Sequence, residues 1–260
     1  MQNISTGWKT DLSILNLSGS IIQDFDSHLV IRSPDNPEFH WGNFILIKDS
    51  KTIENATRWV EIFKENFPDA TWTAIGLPKY PVSAKSWTDL ELEIERLEVL
   101  KCDSMPNLAN LDDAYSSRIF EREDWDRLYE YEIAQNLVSG EHDPSSFERF
   151  IRNTISVRKN LCDQQKAAWF GAFHKETLVA MLGIVICGES ARYQDVQTDK
   201  RHRRIGLASH LLGEAAKWSA KMGSKSWLII TESTNDAGRV YRRAGFKPDI
   251  EIVTAYKSNS

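Results

Sequence analysis

Residues 196–222 read V-Q-T-D-K-R-H-R-R-I-G-L-A-S-H-L-L-G-E-A-A-K-W-S-A-K-M. The first letters end a predicted strand, Tyr193 to Thr198. Apolar or small residues then recur every three or four positions from Leu207 to Met222, which predicts a helix. Gly223 follows as a residue that readily takes the left-handed conformation at a helix end. A strand that enters a helix through a loop dense in cations presents free backbone N–H groups and the positive end of the helix dipole. The stretch therefore predicts a phosphate-binding site.

Within this loop, backbone and side chains both favour an anion. Gly206 leaves room for a close approach to the backbone, and Ala208 is small. The side chains of Arg203 and Arg204 can add charge-assisted hydrogen bonds. We therefore expect the backbone amides of residues 204–209 to surround a phosphate group.

Two motifs resemble those of a known family. R-R-I-G-L-A at 203–208 resembles the R/Q-x-x-G-x-G/A signature of the GNAT acyltransferases, and Y-R-R-A-G-F at 241–246 resembles their Y-x-x-x-G-F element. A hydrophobic strand, Trp227 to Thr231, and a short helix, Asn235 to Ala244, are predicted between them. Residues 117–257 are thus identified as a member of the GNAT N-acetyltransferases. The resemblance implies an α/β fold with a bent mixed sheet between helices, in which acetyl-CoA lies where two parallel strands splay apart.

The resemblance also implies roles for individual residues. The loop would hold the pyrophosphate of acetyl-CoA, and the pantetheine arm would run beside the strand that ends at Thr198. A backbone N–H near Val196 would polarise the thioester carbonyl, and Tyr241 would be the general acid that protonates the leaving thiolate. The residues expected to contact acetyl-CoA are Val196, Gln197, Thr198, Arg203, Arg204, Ile205, Gly206, Leu207, Ala208, Ser209 and Asn235.

Composition sets broad limits on function. The 260 residues carry a net charge of −5, which argues against general affinity for nucleic acids or membrane surfaces. The three cysteines lie far apart without metal-ligand spacing, so we expect reduced thiols and no metal site. No signal peptide or membrane-spanning run is evident, and the expected location is the cytoplasm.

The sequence predicts two domains, residues 1–105 and 117–260, joined by a polar linker, 106–116. The first has the order strand, strand, helix, strand, strand and lacks the R-x-x-G-x-A motif. Its segment S-P-D-N-P-E-F-H-W-G resembles the N-terminal half of some tandem GNAT proteins, which makes it a degenerate copy; the alternative is an unrelated α+β domain. In either case we expect it to be structural or to shape the substrate site, without binding the cofactor.

The second domain should begin with a strand and two helices. The first helix is predicted around Asp124 to Gln135 with Asp124 as its cap, and the second starts at Asp143–Pro144. The resemblance implies that the loop between them, residues 136–142, helps to shape the acceptor pocket.

The general base is left open by the sequence. The candidates are Tyr193, Asp195, Glu132, His142 and Glu232. Regular strand alternation places Tyr193 and Asp195 on one face and Gln194 and Val196 on the other, which does not show which face is the acceptor side.

The leading hypothesis is an acetyl-CoA-dependent N-acetyltransferase in which a primary amine of a small molecule or peptide attacks directly in a ternary complex. No cysteine lies in a motif that suggests an acyl-enzyme. The alternatives are a catalytically silent CoA-binding regulatory or interaction protein, and a nucleic-acid binder that uses K-R-H-R-R at 200–204. The expected oligomeric state is a monomer or homodimer.

Overall fold

The chain forms two compact units in a computed structural model that describes residues 4–232 and 237–258. One unit comprises Met1–Val99 and Ile250–Ser260, and the other comprises Leu100–Asp249. The boundary near residue 100 lies close to the predicted end of the first domain. The C-terminal residues, which the sequence assigns to the second domain, group with the first unit instead.

The first unit begins with a helix and a strand that the sequence analysis did not predict. Its elements up to residue 102 are α1 (Thr6–Leu17), β1 (Ile21–Asp24), β2 (His28–Arg32), β3 (Phe44–Ile47), α2 (Ala56–Asn66), β4 (Trp72–Leu77), α3 (Lys85–Thr88) and β5 (Glu93–Cys102).

The second unit carries the elements that surround the predicted cofactor loop. They are β6 (Tyr115–Ile119), α4 (Arg122–Ser139), α5 (Pro144–Asp163), β7 (Ala167–His174), β8 (Thr177–Cys187), β9 (Ser190–Thr198), α6 (Leu207–Lys221), β10 (Ser226–Glu232), α7 (Ala237–Arg243) and β11 (Lys247–Pro248). The chain then returns to the first unit with β12 (Ile252–Ser258).

β12 explains why the C-terminal residues belong to the first unit. It pairs antiparallel with β4, where Val253 faces Leu77, and with β5, where Ile252 faces Leu97. The strand order in this unit is β1-β2-β3-β4-β12-β5, with β3 and β4 parallel. The predicted boundary of the second domain at residue 260 missed this long-range pairing.

The sheet of the second unit has the order β10-β9-β8-β7-β6. Among the described strand pairs of this sheet, only β9 and β10 are parallel, because α6 connects these two strands as a crossover helix. The apolar stripe of α6 packs on the sheet with Leu211, Leu212 and Ala215 fully buried, and Gly223 after the helix has φ +97°, as predicted. The mixed sheet with its helices confirms the predicted fold class.

The start of α4 corrects one prediction. Asp124 is the third helical residue instead of the cap, and it forms a capping box with Glu121, whose backbone N–H donates to the Asp124 carboxylate at 2.8 Å. Arg118 pairs with the same buried carboxylate, which fixes the orientation of α4 against β6. At the start of α5, the predicted cap is confirmed: the Asp143 carboxylate accepts from the Ser146 N–H at 2.8 Å, and Pro144 is the first helical residue.

The segment predicted as a linker packs on α6. A Cβ added at Gly213 would lie 2.3 Å from Cδ1 of Leu108, so this glycine allows the segment to approach the helix closely. The imidazole Nδ1 of His210 lies 2.9 Å from the carbonyl oxygen of Ala109, and the N–H of Asn107 donates to the carbonyl of Ala244 at 2.9 Å. Residues 107–109 are therefore held on the surface of the second unit.

No helix among the described residues combines the length and the apolar character needed to cross a bilayer.

Candidate functional site

The two parallel strands of the second unit separate at their carboxyl ends. The β9–β10 ladder runs from Ser190 opposite Ser226 to Arg192 opposite Leu228. Beyond this point β9 continues to Thr198 and β10 to Glu232 with no further pairing between them in the described residues. Polar backbone groups on the facing edges are thereby left available to a ligand, which agrees with the expected splayed strands.

A β-bulge lies in β9 beside this opening. Gly183 of β8 faces Gln194, whereas Met181, two residues earlier, faces Gln197, so β9 carries one extra residue. The extra residue is accommodated at Asp195, which has φ +50°. The bulge interrupts the ladder next to Val196, the residue whose N–H the resemblance assigns to the thioester carbonyl.

The bulge also corrects the predicted alternation of β9. Tyr193 and Val196, three residues apart, both pack against the hydrophobic core, so the residues after the bulge have changed sides. The carboxylate of Asp195 forms an ion pair with Arg158 of α5 at 2.8 Å. Regular alternation failed here because the extra residue shifts the period of two by one position.

The loop from β9 to α6 is built from tight turns. Asp199 caps a short 3-10 turn, Lys200–His202, and accepts from the Arg201 N–H at 2.8 Å. Arg204 then has φ +66° and Gly206 has φ +90°, directly before the first residue of α6. The first N–H groups of a helix have no partner within it, so the start of α6 offers backbone donors to an anion.

The side chains around this turn divide into two groups. Arg203, Arg204 and Ile205 are exposed, and the Nε of Arg203 donates to the carbonyl of Thr198 at 3.1 Å. Leu207 is 2% exposed and packs in the core, so only its backbone can contact a ligand. The exposed arginines carry the positive charge that a phosphate group would require of its site.

The remaining predicted contacts lie around the same turn or outside the described residues. Val196 and Thr198 are half-buried at the end of β9, and Gln197 between them is exposed. Ala208 and Ser209 are half-buried in the first turn of α6. Asn235 lies outside the residues that the structure describes.

Tyr241, the predicted general acid, lies in α7. Its side chain is 5% exposed, and its ring packs edge-on against Phe246 with centroids 6.4 Å apart. Burial raises the pKa of the Tyr241 phenol to about 12. The phenol therefore holds its proton at neutral pH, as a group that donates a proton must.

Tyr193 is a structural residue. It is 2% exposed, and its hydroxyl donates to the carbonyl of Leu212 at 2.7 Å. Burial also raises the pKa of its phenol well above the ordinary value. A group in this environment does not accept a proton from a substrate at neutral pH, so Tyr193 is no longer a candidate base.

Replacing Tyr193 with phenylalanine should lower the free energy of unfolding by about 1 kcal/mol, the usual net contribution of one hydrogen bond. The ring keeps its contact with Phe246, 5.8 Å away between centroids, so the surrounding core should stay packed. Urea denaturation of wild type and variant measures the difference. A loss above about 3 kcal/mol would mean that the hydroxyl has a larger role in the core than one hydrogen bond.

The other candidate bases differ in their surroundings. His142 stacks on Phe147 with ring centroids 5.5 Å apart, in a loop whose backbone is held by the Asn136 side chain. Glu232 is exposed at the end of β10. Glu132 is half-buried on α4, with Oε1 3.5 Å from Nε2 of Gln197.

Arg158 is a site residue that the sequence analysis missed. Its side chain is 17% exposed, and its guanidinium lies 5.4 Å from the ring centroid of Trp169 as well as against Asp195. One signal was available: Arg158 follows the inward-facing Ile151 and Ile155 by seven and three residues, which places it on the buried face of α5. An arginine that is half-buried on such a face requires a partner.

Residues 121–246 match the model of the acetyltransferase (GNAT) family. The comparison with curated protein sequences gave no match.

Solved structures share the fold along nearly the whole chain. A functionally unknown conserved protein from Staphylococcus epidermidis has a TM-score of 0.74 at 10% identity, with 92% of this chain and 93% of that chain covered. A GCN5-related N-acetyltransferase from Kribbella flavida has a TM-score of 0.68 at 13% identity, with coverage of 98% and 97%. A tandem GNAT protein from the clavulanic acid biosynthesis pathway has a TM-score of 0.57 at 12% identity, with coverage of 97% and 94%. At these identities the likeness concerns the fold.

Proposed function

We propose that the chain is an acetyl-CoA-dependent N-acetyltransferase, because residues 121–246 match the model of the acetyltransferase (GNAT) family. The acceptor is a primary amine of a small molecule or peptide, which attacks the thioester directly in a ternary complex. The observation that carries this proposal is the opening between β9 and β10 beyond Arg192 and Leu228, directly beside the cationic start of α6.

In this proposal acetyl-CoA lies along the opening, with its pyrophosphate at the start of α6 and its pantetheine arm beside β9. Its pyrophosphate meets the amides of residues 204–209 and the exposed side chains of Arg203 and Arg204. Its pantetheine amides pair with the free edge of β9 from Val196 to Thr198. The bulge leaves the N–H of Val196 outside the β8 ladder, where it can donate to the thioester oxygen and stabilise the charge that develops there.

Tyr241 completes the reaction on the sulfur side. When the carbon–sulfur bond breaks, the phenol transfers its proton to the leaving thiolate and regains one from solvent. The thiolate would otherwise leave as an anion, so this transfer lowers the barrier for the step in which it leaves.

Two of the three cysteines, Cys102 and Cys162, favour direct attack over an acyl-enzyme. The pKa of Cys162 is raised to about 11 by burial, which keeps this thiol protonated and weakly nucleophilic. The thiol of Cys102 is buried and donates to the carbonyl of Ser104 at 3.0 Å. Neither has the environment of an activated nucleophile.

The first unit is proposed as a structural or substrate-shaping part without a cofactor site. Trp8 of α1 fills the region next to its only parallel strand pair in the described residues: a Cβ added at Gly76 would lie 2.8 Å from the indole ring. The indole Nε1 donates to the carbonyl of Leu77, at the end of β4, at 3.3 Å. The pairing of β3 with β4 continues to Leu46 and Gly76, one residue before the end of each strand, so the described residues of this pair lack an opening like that between β9 and β10.

A silent CoA-binding protein is the second candidate function. It is favoured by the burial of Tyr241 against Phe246, which is also how a purely structural tyrosine packs. This candidate predicts acetyl-CoA binding without transfer to any amine.

The deciding experiment has two stages on the full chain. The first measures the melting temperature with and without 1 mM acetyl-CoA, and the second follows thiol release against a panel of primary amines. We expect stabilisation and amine-dependent release. Stabilisation without release from any amine would favour the silent candidate, and no stabilisation would contradict both. Binding to DNA or RNA that weakens steeply with salt would instead support a nucleic-acid function for residues 200–204.

A further inference from the structure

Helix α4 carries a carboxylate on the face that it turns toward the core. Trp125, Leu128 and Asn136 are the buried residues along this face, with spacings of three and eight. Glu132 lies four residues after Leu128 and four before Asn136, so it occupies the same stripe. Packing alone favours an apolar side chain at such a position, because a carboxylate loses part of its hydration there.

The Glu132 carboxylate faces the bulged end of β9. Its Oε1 lies 3.5 Å from Nε2 of Gln197, the first residue after the bulge that again pairs with β8. Burial raises the pKa of Glu132, and the nearby charge of Asp195 raises it further, whereas the Gln197 amide and the charge of Arg158 lower it. The carboxylate therefore lies beside the strand segment along which the thioester is proposed to bind.

Among the described residues, Glu132 has no cationic side chain as its own ion-pair partner. Arg158 is engaged by Asp195 at 2.8 Å, with side-chain exposures of 17% and 28%. In the described part of the chain, no lysine, arginine or histidine lies within ion-pair distance of Glu132. The charges of Arg158 and Asp195 cancel, so Glu132, Arg158 and Asp195 together carry the charge of one carboxylate. This charge suits a single ammonium group.

We infer that Glu132 is the base that takes the proton of the acceptor amine, and that the acceptor is an amine that is cationic at neutral pH and binds between α4 and β9. This inference rests on the proposed N-acetyltransferase function.

The ammonium N–H bond breaks and its proton passes to Glu132, which frees the nitrogen lone pair to attack the thioester carbonyl carbon. As the carbon–sulfur bond breaks, the nitrogen loses its second proton to water and the sulfur gains one from Tyr241. Glu132 then releases its proton to solvent, so one net proton leaves per turnover.

The test is Glu132→Gln in the full chain, which keeps the shape of the side chain and removes its basicity. With primary amines that are protonated at pH 7.5, kcat/KM should fall about 100-fold, the usual contribution of a positioned base. With hydroxylamine, which is already neutral at this pH, the rate should stay within about threefold of wild type, because no proton has to be removed before attack. Affinity for acetyl-CoA should not change.

Glu130→Gln is the matched control, since Glu130 lies exposed on the same helix. It should leave both reactions and the melting temperature as in wild type. Burial penalises the ionised form of Glu132, and ionisation is complete above its raised pKa. Glu132→Gln should therefore melt at the same or a higher temperature than wild type at pH 8. A residue that only held the fold together would instead lower the melting temperature when changed.

Two results would overturn the role of Glu132 while acetyl transfer itself stands. The first is an equal loss of activity with the primary amines and with hydroxylamine. The second is no loss of activity with either. A wild-type protein that binds acetyl-CoA but acetylates neither class of nucleophile would contradict the proposed enzyme function, and this inference with it.

Discussion

Replacing Gly206 with valine is expected to abolish acetyl-CoA binding while the protein stays folded. Gly206 has φ +90°, a backbone conformation that a β-branched residue adopts only with strain of about 1–3 kcal/mol. The backbone must then move or remain strained at the residue that leads into α6, where the proposed amide donors lie. The isopropyl group is also bulkier than the hydrogen it replaces, and the close approach of a phosphate to this backbone that the proposal requires depends on glycine.

A steric clash within the protein does not account for the expected loss of acetyl-CoA binding. The nearest atom to an added Cβ at Gly206 is the Cβ of Ala109 at 3.6 Å, an ordinary contact distance. The substitution therefore acts through the backbone and through the ligand. Thermal shift with 1 mM acetyl-CoA is the measurement: wild type should gain about 2.7 kcal/mol of stability when the ligand is at 100 times its Kd, and the variant none.

Gly223→Val provides a matched control at the other end of the same helix. Gly223 has φ +97°, and nothing lies within 4 Å of an added Cβ. It should lower the melting temperature by a similar amount through the same backbone strain, yet keep the full response to acetyl-CoA. A folded Gly206→Val protein with wild-type affinity would contradict the assignment of the loop.

Tyr241→Phe is expected to lower kcat by about 100-fold or more, since it removes the proposed acid and keeps the ring. The phenyl ring can still pack on Phe246, so acetyl-CoA affinity should remain within about twofold and the fold should be intact. Steady-state kinetics of thiol release with saturating amine measures kcat, and calorimetry measures affinity.

Tyr193→Phe is the natural comparison, because it removes a phenol from the same core and also contacts Phe246. We expect it to lose stability and retain turnover, the reverse of Tyr241→Phe. If both variants turn over as fast as wild type, Tyr241 has only a packing role and the acid is another group or water.

The sequence predicted those parts of the site whose signals are local. The apolar period from Leu207 onward and Gly206 before it identify α6 and its start because helix, cap and loop are set by residues within a few positions of one another. The strand that leads into this loop, predicted to end at Thr198, is likewise present as β9.

The bulge at Asp195 and the pairing of Arg158 depend on distant parts of the chain. The sequence S-A-R-Y-Q-D-V-Q-T does not by itself indicate a bulge, because the extra residue depends on the register with β8. The ion pair of Asp195 depends in turn on the position of α5. The surroundings of Glu132 are non-local in the same way. Its place in the buried stripe of α4 can be read from spacing, whereas Gln197 and Asp195 become its neighbours only when the unit has folded.

The first unit was predicted least well because strands of its sheet pair with segments that are far away in sequence. α1 and β1 have weak local signals, and β12 joins β4 and β5 across more than 150 residues. Pairing between such distant strands leaves no pattern of apolar residues within a short stretch of sequence.

The position of β12 has a consequence for how the chain is made. β12 lies between β4 and β5, so the sheet of the first unit cannot close until residues 252–258 have left the ribosome. The second unit, residues 100–249, is synthesised completely before that moment. Domains normally fold from the N-terminus during synthesis. Here the order should be reversed, and the nascent first unit should stay open, in need of protection from aggregation, until residues 252–258 have been synthesised.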